Sequence, residues 1–258
     1  MAGRRRGIRY SMETHVGRVR KANEDAVIAL PEQQLWAVSD GMGGHENGAF
    51  ASQTVTDALR ALSPDLGPGE LMQGARHAVL DAHRTILEES ARNGGATIGA
   101  TVVILLIANG HFACLWAGDS RLYLLRAGAI NRVSRDHSLV ADLVEAGRLT
   151  DEEAESHPHS NVITRAVGVG DELEIEKRRS TVMPGDRFLL CSDGLTKYAS
   201  DHLLRDVLAE EPIDSAAERL LGIALEGGGA DNISVIVVEV PEDSAADPDL
   251  TVVPAGGM

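Results

Sequence analysis

Two apolar runs in this chain end in the same three residues. Leu35-Trp36-Ala37-Val38 leads into Ser39-Asp40-Gly41, and Phe188-Leu189-Leu190-Cys191 leads into Ser192-Asp193-Gly194. Short apolar runs of this kind form buried strands. Each therefore places a carboxylate where a strand leaves the core, and Asp193 is expected to repeat the geometry of Asp40. After Asp40, the glycines at 41, 43 and 44 let backbone and side chain both approach a ligand closely. Asp40 offers a hard anionic oxygen, and Gly41 leaves its carbonyl unshielded as a second oxygen for the same ion. Taken alone, Asp-Gly after a strand is a turn signal. The rest of the chain decides between turn and site.

The flanking pattern alternates strands and helices. Strands are expected over residues 8–14, 26–30, 101–108, 111–117, 122–126, 175–182 and 233–240, with hairpin signals at Asn109-Gly110 and Ala127-Gly128. This is an antiparallel meander, not a βαβ series. Helices are expected from near Asn47, over the stripe Leu71, Ala75, Ala78, Val79, Ala82 and Ile86, from about Ser200, and from Ser215 with Glu218 completing a capping box. His77 and His83 fall off the second helix's stripe and read as surface residues. Residues 138–168 are polar and irregular, as a flap would be, with a capping box at Thr150 and Glu153. His157-Pro158-His159 within them reads as loop. The chain divides into a basic, flexible N-terminus over 1–7, a single domain over 8–240 and an acidic disordered tail over 241–258.

Composition narrows the partners. A net charge of −15 argues against nucleic acid and anionic membranes. No apolar run reaches membrane-spanning length. Cys114 and Cys191 lie inside apolar runs and read as free thiols in a reducing cytosol. A cysteine phosphatase needs an Arg six residues after its thiolate. Ser120 and Lys197 stand there instead, which removes that chemistry.

Asp231, before the last strand, is a third carboxylate at a strand junction. If these strands are neighbours, Asp40, Asp193 and Asp231 converge, and clustered like charges need cations to neutralise them. An all-oxygen set favours Mg²⁺ or Mn²⁺ over zinc. Two such ions bridged by Asp40 could activate a shared water. In the loop before residue 26, Arg20 can grip a phosphate, and Glu24 and Asp25 can hold a metal directly or through water.

Seven ordered motifs then carry a resemblance: Arg20-x-x-Asn23-Glu24-Asp25, Ser39-Asp40-Gly41-Met42-Gly43-Gly44-His45, Gly118-Asp119-Ser120-Arg121, Asp136-His137-Ser138, Asn161-x-Ile163-Thr164-Arg165-Ala166-x-Gly168, Cys191-Ser192-Asp193-Gly194-Leu195 and Asp231-Asn232. Together they resemble the metal-dependent protein serine/threonine phosphatases of the protein phosphatase 2C type, bacterial-like in form, over residues 8–240. The resemblance implies an α+β fold, a central β-sandwich of two antiparallel sheets flanked by helices in four layers, α-β-β-α. It implies hydrolysis of phosphoserine and phosphothreonine in proteins at a binuclear Mn²⁺ or Mg²⁺ centre. Asp40 would bridge the ions, Gly41 would ligate through its carbonyl, and Asp193 and Asp231 would complete one shell. Glu24 or Asp25 would serve the other ion, Asp119 a weaker third ion, and Arg20 the phosphate. Partners would be phosphorylated proteins, including serine/threonine kinases and their substrates, met by a cytoplasmic monomer. Where animal members often carry a histidine after the Asp-Gly, this chain has Met42, which leaves His45 or a metal-bound water as proton donor. The rival reading is a catalytically silent module of the same fold, but no acidic ligand is missing.

Overall fold

The fold rests on two antiparallel sheets whose facing sides are almost wholly apolar. The computed structural model describes residues 7–44, 46–150, 153–154, 157–159 and 161–242. The strands are β1 (Arg9–His15), β2 (Asp25–Leu30), β3 (Leu35–Met42), β4 (Gly99–Ala100), β5 (Val102–Ala108), β6 (His111–Ala117), β7 (Arg121–Arg126), β8 (Ala129–Arg132), β9 (Glu176–Thr181), β10 (Arg187–Cys191) and β11 (Ile233–Glu239). One sheet runs β1-β11-β10-β7-β8 and the other β2-β3-β5-β6-β9, with β4 attached to β3. The two expected hairpins form. Asn109 (φ 50°) and Gly110 (φ 69°) turn β5 into β6, and Ala127 (φ 49°) and Gly128 (φ 77°) turn β7 into β8. Two successive positive φ angles match the right-handed twist of the flanking strands.

Side-chain alternation sorts each strand between two cores. Trp36, Val38, Val103, Leu105, Trp116, Leu122, Phe188, Leu190 and Ile236 fill the space between the sheets. Ala37, Ile104 and Leu115 face the opposite way, onto helices α1 (Glu46–Arg60) and α2 (Pro68–Arg92). On the far side, Leu189, Cys191, Val235 and Val237 meet α4 (Asp193–Thr196), α5 (Asp201–Glu210) and α6 (Ile213–Glu226). The layers are thus α-β-β-α, as the resemblance implied. Each fully buried Leu, Ile or Phe contributes about 1.5–3 kcal/mol, so the three cores carry the fold with few aromatics. Both cysteines are buried and free. Among the described residues, no helix is long and apolar enough to cross a membrane.

Three expectations need correction. His83 is buried, at 4% exposure, because α2 is covered by the segment around Gly168 as well as by the sheet. Its Nδ1 accepts the Gly168 N–H at 2.8 Å. The helix placed at Ser215 begins at Ile213 with Pro212 as its cap, so Ser215 and Glu218 form no capping box; the Ser215 hydroxyl donates to the Pro212 carbonyl instead. Asp193 does not repeat Asp40: β3 continues through Asp40 to Met42, held by β4, whereas Asp193 opens the short helix α4. The capping box at Thr150 and Glu153 does form, through bonds of 2.8 and 3.2 Å. Between β8 and β9, α3 (Leu139–Glu145) is capped by Ser138, whose side chain accepts the Ala141 N–H. His45, most of the N-terminal segment and residues 243–258 lie outside the described residues.

Candidate active site

At one end of the sandwich the inter-sheet face turns from apolar to acidic. Along β3 the residues facing the other sheet are Trp36, Val38 and then Asp40, and along β2 they are Val27 and then Asp25. Asp25 and Asp40 are direct cross-strand partners, so they project from the same face with Cβ atoms about 5 Å apart. Like charges in that position destabilise a sheet. Burial raises the Asp40 carboxyl well above its ordinary range, and the neighbouring charges of Asp25, Asp193, Asp119 and Asp231 raise it further. Burial likewise lifts Asp25 to about 6, against hydrogen bonds from Ser234 and Ser192 that favour its charged form. The Ser192 hydroxyl donates to Asp25 Oδ2 at 2.8 Å, while Asp25 Oδ1 is buried without a hydrogen-bond partner.

The loop before β2 is held in place by Asn232. Its side-chain amide donates to the Val16 and Ala22 carbonyls, both at 2.9 Å, and its Oδ1 accepts the Glu24 N–H at 2.8 Å. Three glycines permit the close packing this requires. A Cβ at Gly17 would lie 2.1 Å from the Asp231 carbonyl oxygen, and one at Gly41 would lie 2.5 Å from that of Glu24. One at Gly48, in the first turns of α1, would lie 1.9 Å from Glu24 Oε2 and 3.0 Å from the Gly41 carbonyl oxygen. Position 48 is therefore the floor of a cradle whose walls are the Glu24 carboxylate and the Gly41 carbonyl.

Two cations hold the sheet end opposite. Lys197 Nζ reaches Asp193 Oδ2 at 2.7 Å and Asp231 Oδ2 at 3.0 Å. Arg20 closes a fork on Asp231, Nε to Oδ1 at 2.9 Å and Nη2 to Oδ2 at 3.0 Å. Burial works against the Asp231 charge, but the bonds from Lys197 and the Asn232 N–H, with the Lys197 and Arg20 charges, hold its pKa below the ordinary value. The Arg20 side chain is half exposed, at the mouth of the site.

Asp119 enters from the turn after β6. Gly118 has φ +112° and packs against Thr101, where a Cβ would fall 2.6 Å from the Thr101 side chain. His137 clamps the same turn from the other side: its Nδ1 accepts the Gly118 N–H at 3.1 Å and its own N–H donates to the Gly118 carbonyl at 3.0 Å. The Thr101 hydroxyl accepts the Asp40 N–H and bonds to the Ser120 hydroxyl, which ties this turn to β3. Burial lifts Asp119 to about 7, and the charges of Asp193 and Asp136 add to the lift.

Asp25, Asp40, Asp119, Asp193 and Asp231 thus share one electrostatic neighbourhood, with Arg20, Glu24 and Gly41 at its edge. Among the described residues, no three acidic, imidazole or thiol groups close on a common point as a finished ligand cluster. The donors nonetheless suit a hard divalent cation: all are oxygens, one buried carboxylate oxygen lacks a partner, and like charges face each other across β2 and β3. Reading the sequence alone missed Ser192, Thr101, Asn232, Gly48 and Lys197 as supports. Only Lys197, four residues after Asp193 on one helical turn, carries a sequence signal for its contact.

Residues 16–226 match the family described as Protein phosphatase 2C. The serine/threonine protein phosphatase PstP of Mycobacterium tuberculosis is 38% identical over 234 residues, which is 90% of this chain and 45% of that protein. The chain thus spans about half the length of that relative. Protein phosphatase PhpP of Streptococcus pneumoniae is 33% identical, with 91% of this chain and 98% of that protein covered. Among solved structures, the catalytic domain of serine threonine protein phosphatase PstP in complex with two manganese ions superposes with a TM-score of 0.82 at 37% identity, covering 91% of this chain and 98% of that one. With this sandwich, these ordered motifs and relatives of such identity, the chain belongs to the protein phosphatase 2C family.

Proposed function

We propose that this chain hydrolyses phosphoserine and phosphothreonine esters in proteins, using Mn²⁺ or Mg²⁺. The observation that carries the reading is the facing pair Asp25 and Asp40 at the acidic end of an otherwise apolar sandwich. Two similar proteins bear the names serine/threonine protein phosphatase PstP and protein phosphatase PhpP, and PstP has been solved with two manganese ions.

In this reading Asp40 would bridge two ions, with the Gly41 carbonyl beside it. Asp193 and Asp231 would complete one shell, and Glu24 or Asp25 would serve the other. Asp119 would hold a third, weaker ion. The bound cations would supply charge neutralisation and a water acidified for in-line attack on phosphorus. Arg20 would release Asp231 and turn its fork onto the phosphate, a bidentate match for which guanidinium is suited. The Thr101 and Ser192 hydroxyls would keep Asp40 and Asp25 in register. Met42 cannot donate a proton. The substrates would be phosphoproteins, among them kinases and their targets, in a signalling role. The buried free thiols favour a reducing, cytoplasmic setting and a monomer suffices for the site.

The test is phosphate release from a phosphothreonine peptide by the metal-stripped chain, with and without Mn²⁺. Turnover should appear only with the cation, and Asp231→Asn should lower kcat at least ~100-fold. Full turnover in excess chelator, or normal turnover by Asp231→Asn, would overturn the reading. Tight Mn²⁺ binding without turnover on any phosphoester would favour the silent module instead.

A further inference from the structure

A basic groove lies beside β9 in this acidic chain. That strand ends its sheet, so among the described residues one side of its backbone is unpaired by any other strand. Its sequence, Glu176-Lys177-Arg178-Arg179-Ser180-Thr181, is exposed from Lys177 onward. Lys177 pairs with Leu115 and Arg179 with Ala113. Those two β6 residues face α2, so Lys177 and Arg179 lie on the helix side of the sheet. There a cleft of about 150 Å³ is lined by Met72, Gln73 and Arg76 of α2 together with Leu115 and Lys177. Among the described residues, the side chains of Arg76, Lys177 and Arg179 have no hydrogen bond or ion pair. The chain has 39 acidic and 24 basic residues, and arginines on other strands, such as Arg9, Arg121, Arg126 and Arg187, are paired. The strand also begins near the catalytic end. Glu176, the residue before Lys177 and on the inter-sheet face of β9, bonds His137 at 3.0 Å, and His137 clamps the Gly118 turn that presents Asp119.

We infer that this groove holds an acidic segment of the phosphoprotein substrate, laid along β9 while the phosphoresidue occupies the site. The inference rests on the proposed phosphatase reading and adds a substrate preference to it. Charge complementarity selects the occupant: three unpaired cations beside an open strand edge suit an extended acidic peptide, with backbone bonds to β9 and carboxylates on the cations. The spacing follows from the register. Leu115 and Ala113 stand four and six residues before Asp119, which at ~3.3 Å per residue puts Lys177 and Arg179 roughly 13 and 20 Å along the strand from it. Acidic side chains about four to seven positions from the phosphoresidue should therefore be favoured. The competing explanation is that Lys177 and Arg179 only guard an edge strand against pairing with other chains. That role would leave substrate choice untouched.

The experiment compares phosphothreonine peptides that carry Glu-Glu-Glu or Gln-Gln-Gln four to seven positions from the phosphoresidue, on either side, with p-nitrophenyl phosphate as a substrate too small to reach the groove. The Glu peptide should show roughly tenfold higher kcat/KM, through KM, falling as salt rises. The gain should vanish in Lys177→Gln/Arg179→Gln and reverse in Lys177→Glu/Arg179→Glu, while p-nitrophenyl phosphate turnover stays at the parent rate in both. Equal kcat/KM for the two peptides, or a gain that survives both double variants, would overturn the inference. Loss of p-nitrophenyl phosphate turnover in the unaltered chain with Mn²⁺ would instead count against the phosphatase reading itself.

Discussion

Gly48 shows how much a single missing side chain can decide. A methyl group there would sit 1.9 Å from Glu24 Oε2 and 3.0 Å from the Gly41 carbonyl oxygen. Both oxygens belong to the set proposed to face a cation; the Glu24 carboxylate, at the end of a flexible side chain, can swing aside only by leaving that set, while the backbone around it stays fixed. The Gly41 N–H is bonded to the Glu24 carbonyl at 3.1 Å and the Glu24 N–H to Asn232. Position 48 is helical, and alanine favours a helix over glycine by about 1 kcal/mol. Gly48→Ala should therefore fold with near-parent or higher stability in chelator yet lose most of its Mn²⁺-dependent turnover. Thermal melts in chelator and phosphate release with Mn²⁺, on the same preparation, check the two halves; normal turnover would mean that the cradle is only a packing detail. The carboxylates at strand ends were legible from sequence because an apolar run stopped by Asp-Gly is a local pattern. Gly48 was not legible, since what it must avoid is a side chain 24 residues away in the chain. The same holds for Asn232, whose three bonds reach back more than 200 residues.

At the scale of elements, α2 is joined to the segment before β9 by one buried imidazole. His83 Nδ1 accepts the Gly168 N–H, so the ring must keep that nitrogen unprotonated. Burial lowers its pKa from the ordinary 6.5, with the Arg84 charge lowering it further against a contact with the Asp171 backbone. The folded chain therefore binds this proton less readily than the unfolded one. His83 contributes stability that is intact above about pH 6.5 and is lost as pH falls through and below that value. In urea melts at several pH values, the parent should lose stability more steeply below pH 6.5 than His83→Gln does. Parallel curves would remove His83 from the account. Helical periodicity alone put His83 on the surface, although it lies four residues after the buried Val79. A single apolar stripe assumes a helix covered on one side, and the contact with Gly168, where a Cβ would meet Ile86 at 2.3 Å, widens the buried arc. Strands were read more accurately than helix starts because Asn-Gly and Ala-Gly turns mark their ends locally. The start of α6 was misplaced because Pro212 served as its cap, while the Ser-x-x-Glu pattern two residues on was spurious.

For the whole molecule, the net charge of −15 is unevenly spent, with five aspartates drawn to one end of the sandwich while the apolar cores occupy the rest. Lys197 and Arg20 offset Asp193 and Asp231, but Asp25 and Asp40 face each other with no cationic side chain bonded to either among the described residues. A divalent cation that binds the folded chain alone should then stabilise it by RT ln(1 + [L]/Kd), about 2.7 kcal/mol at a hundredfold excess over Kd. For a chain of this size that corresponds to a rise in Tm of roughly 5–10 °C. The rise should follow Mn²⁺ or Mg²⁺ at micromolar to millimolar levels, be undone by chelator, and be absent with NaCl at matched ionic strength, since general screening cannot bridge two facing carboxylates. Asp40→Asn separates site from surface. It removes one of the facing charges, so the chain in chelator should be as stable as the parent or more so, while the increment with Mn²⁺ should shrink to a fraction of the parent's. Differential scanning calorimetry of both proteins, in chelator and in Mn²⁺, reads all four values. An undiminished Mn²⁺ increment in Asp40→Asn would place the cation elsewhere on the acidic surface and would remove Asp40 from the centre of the site.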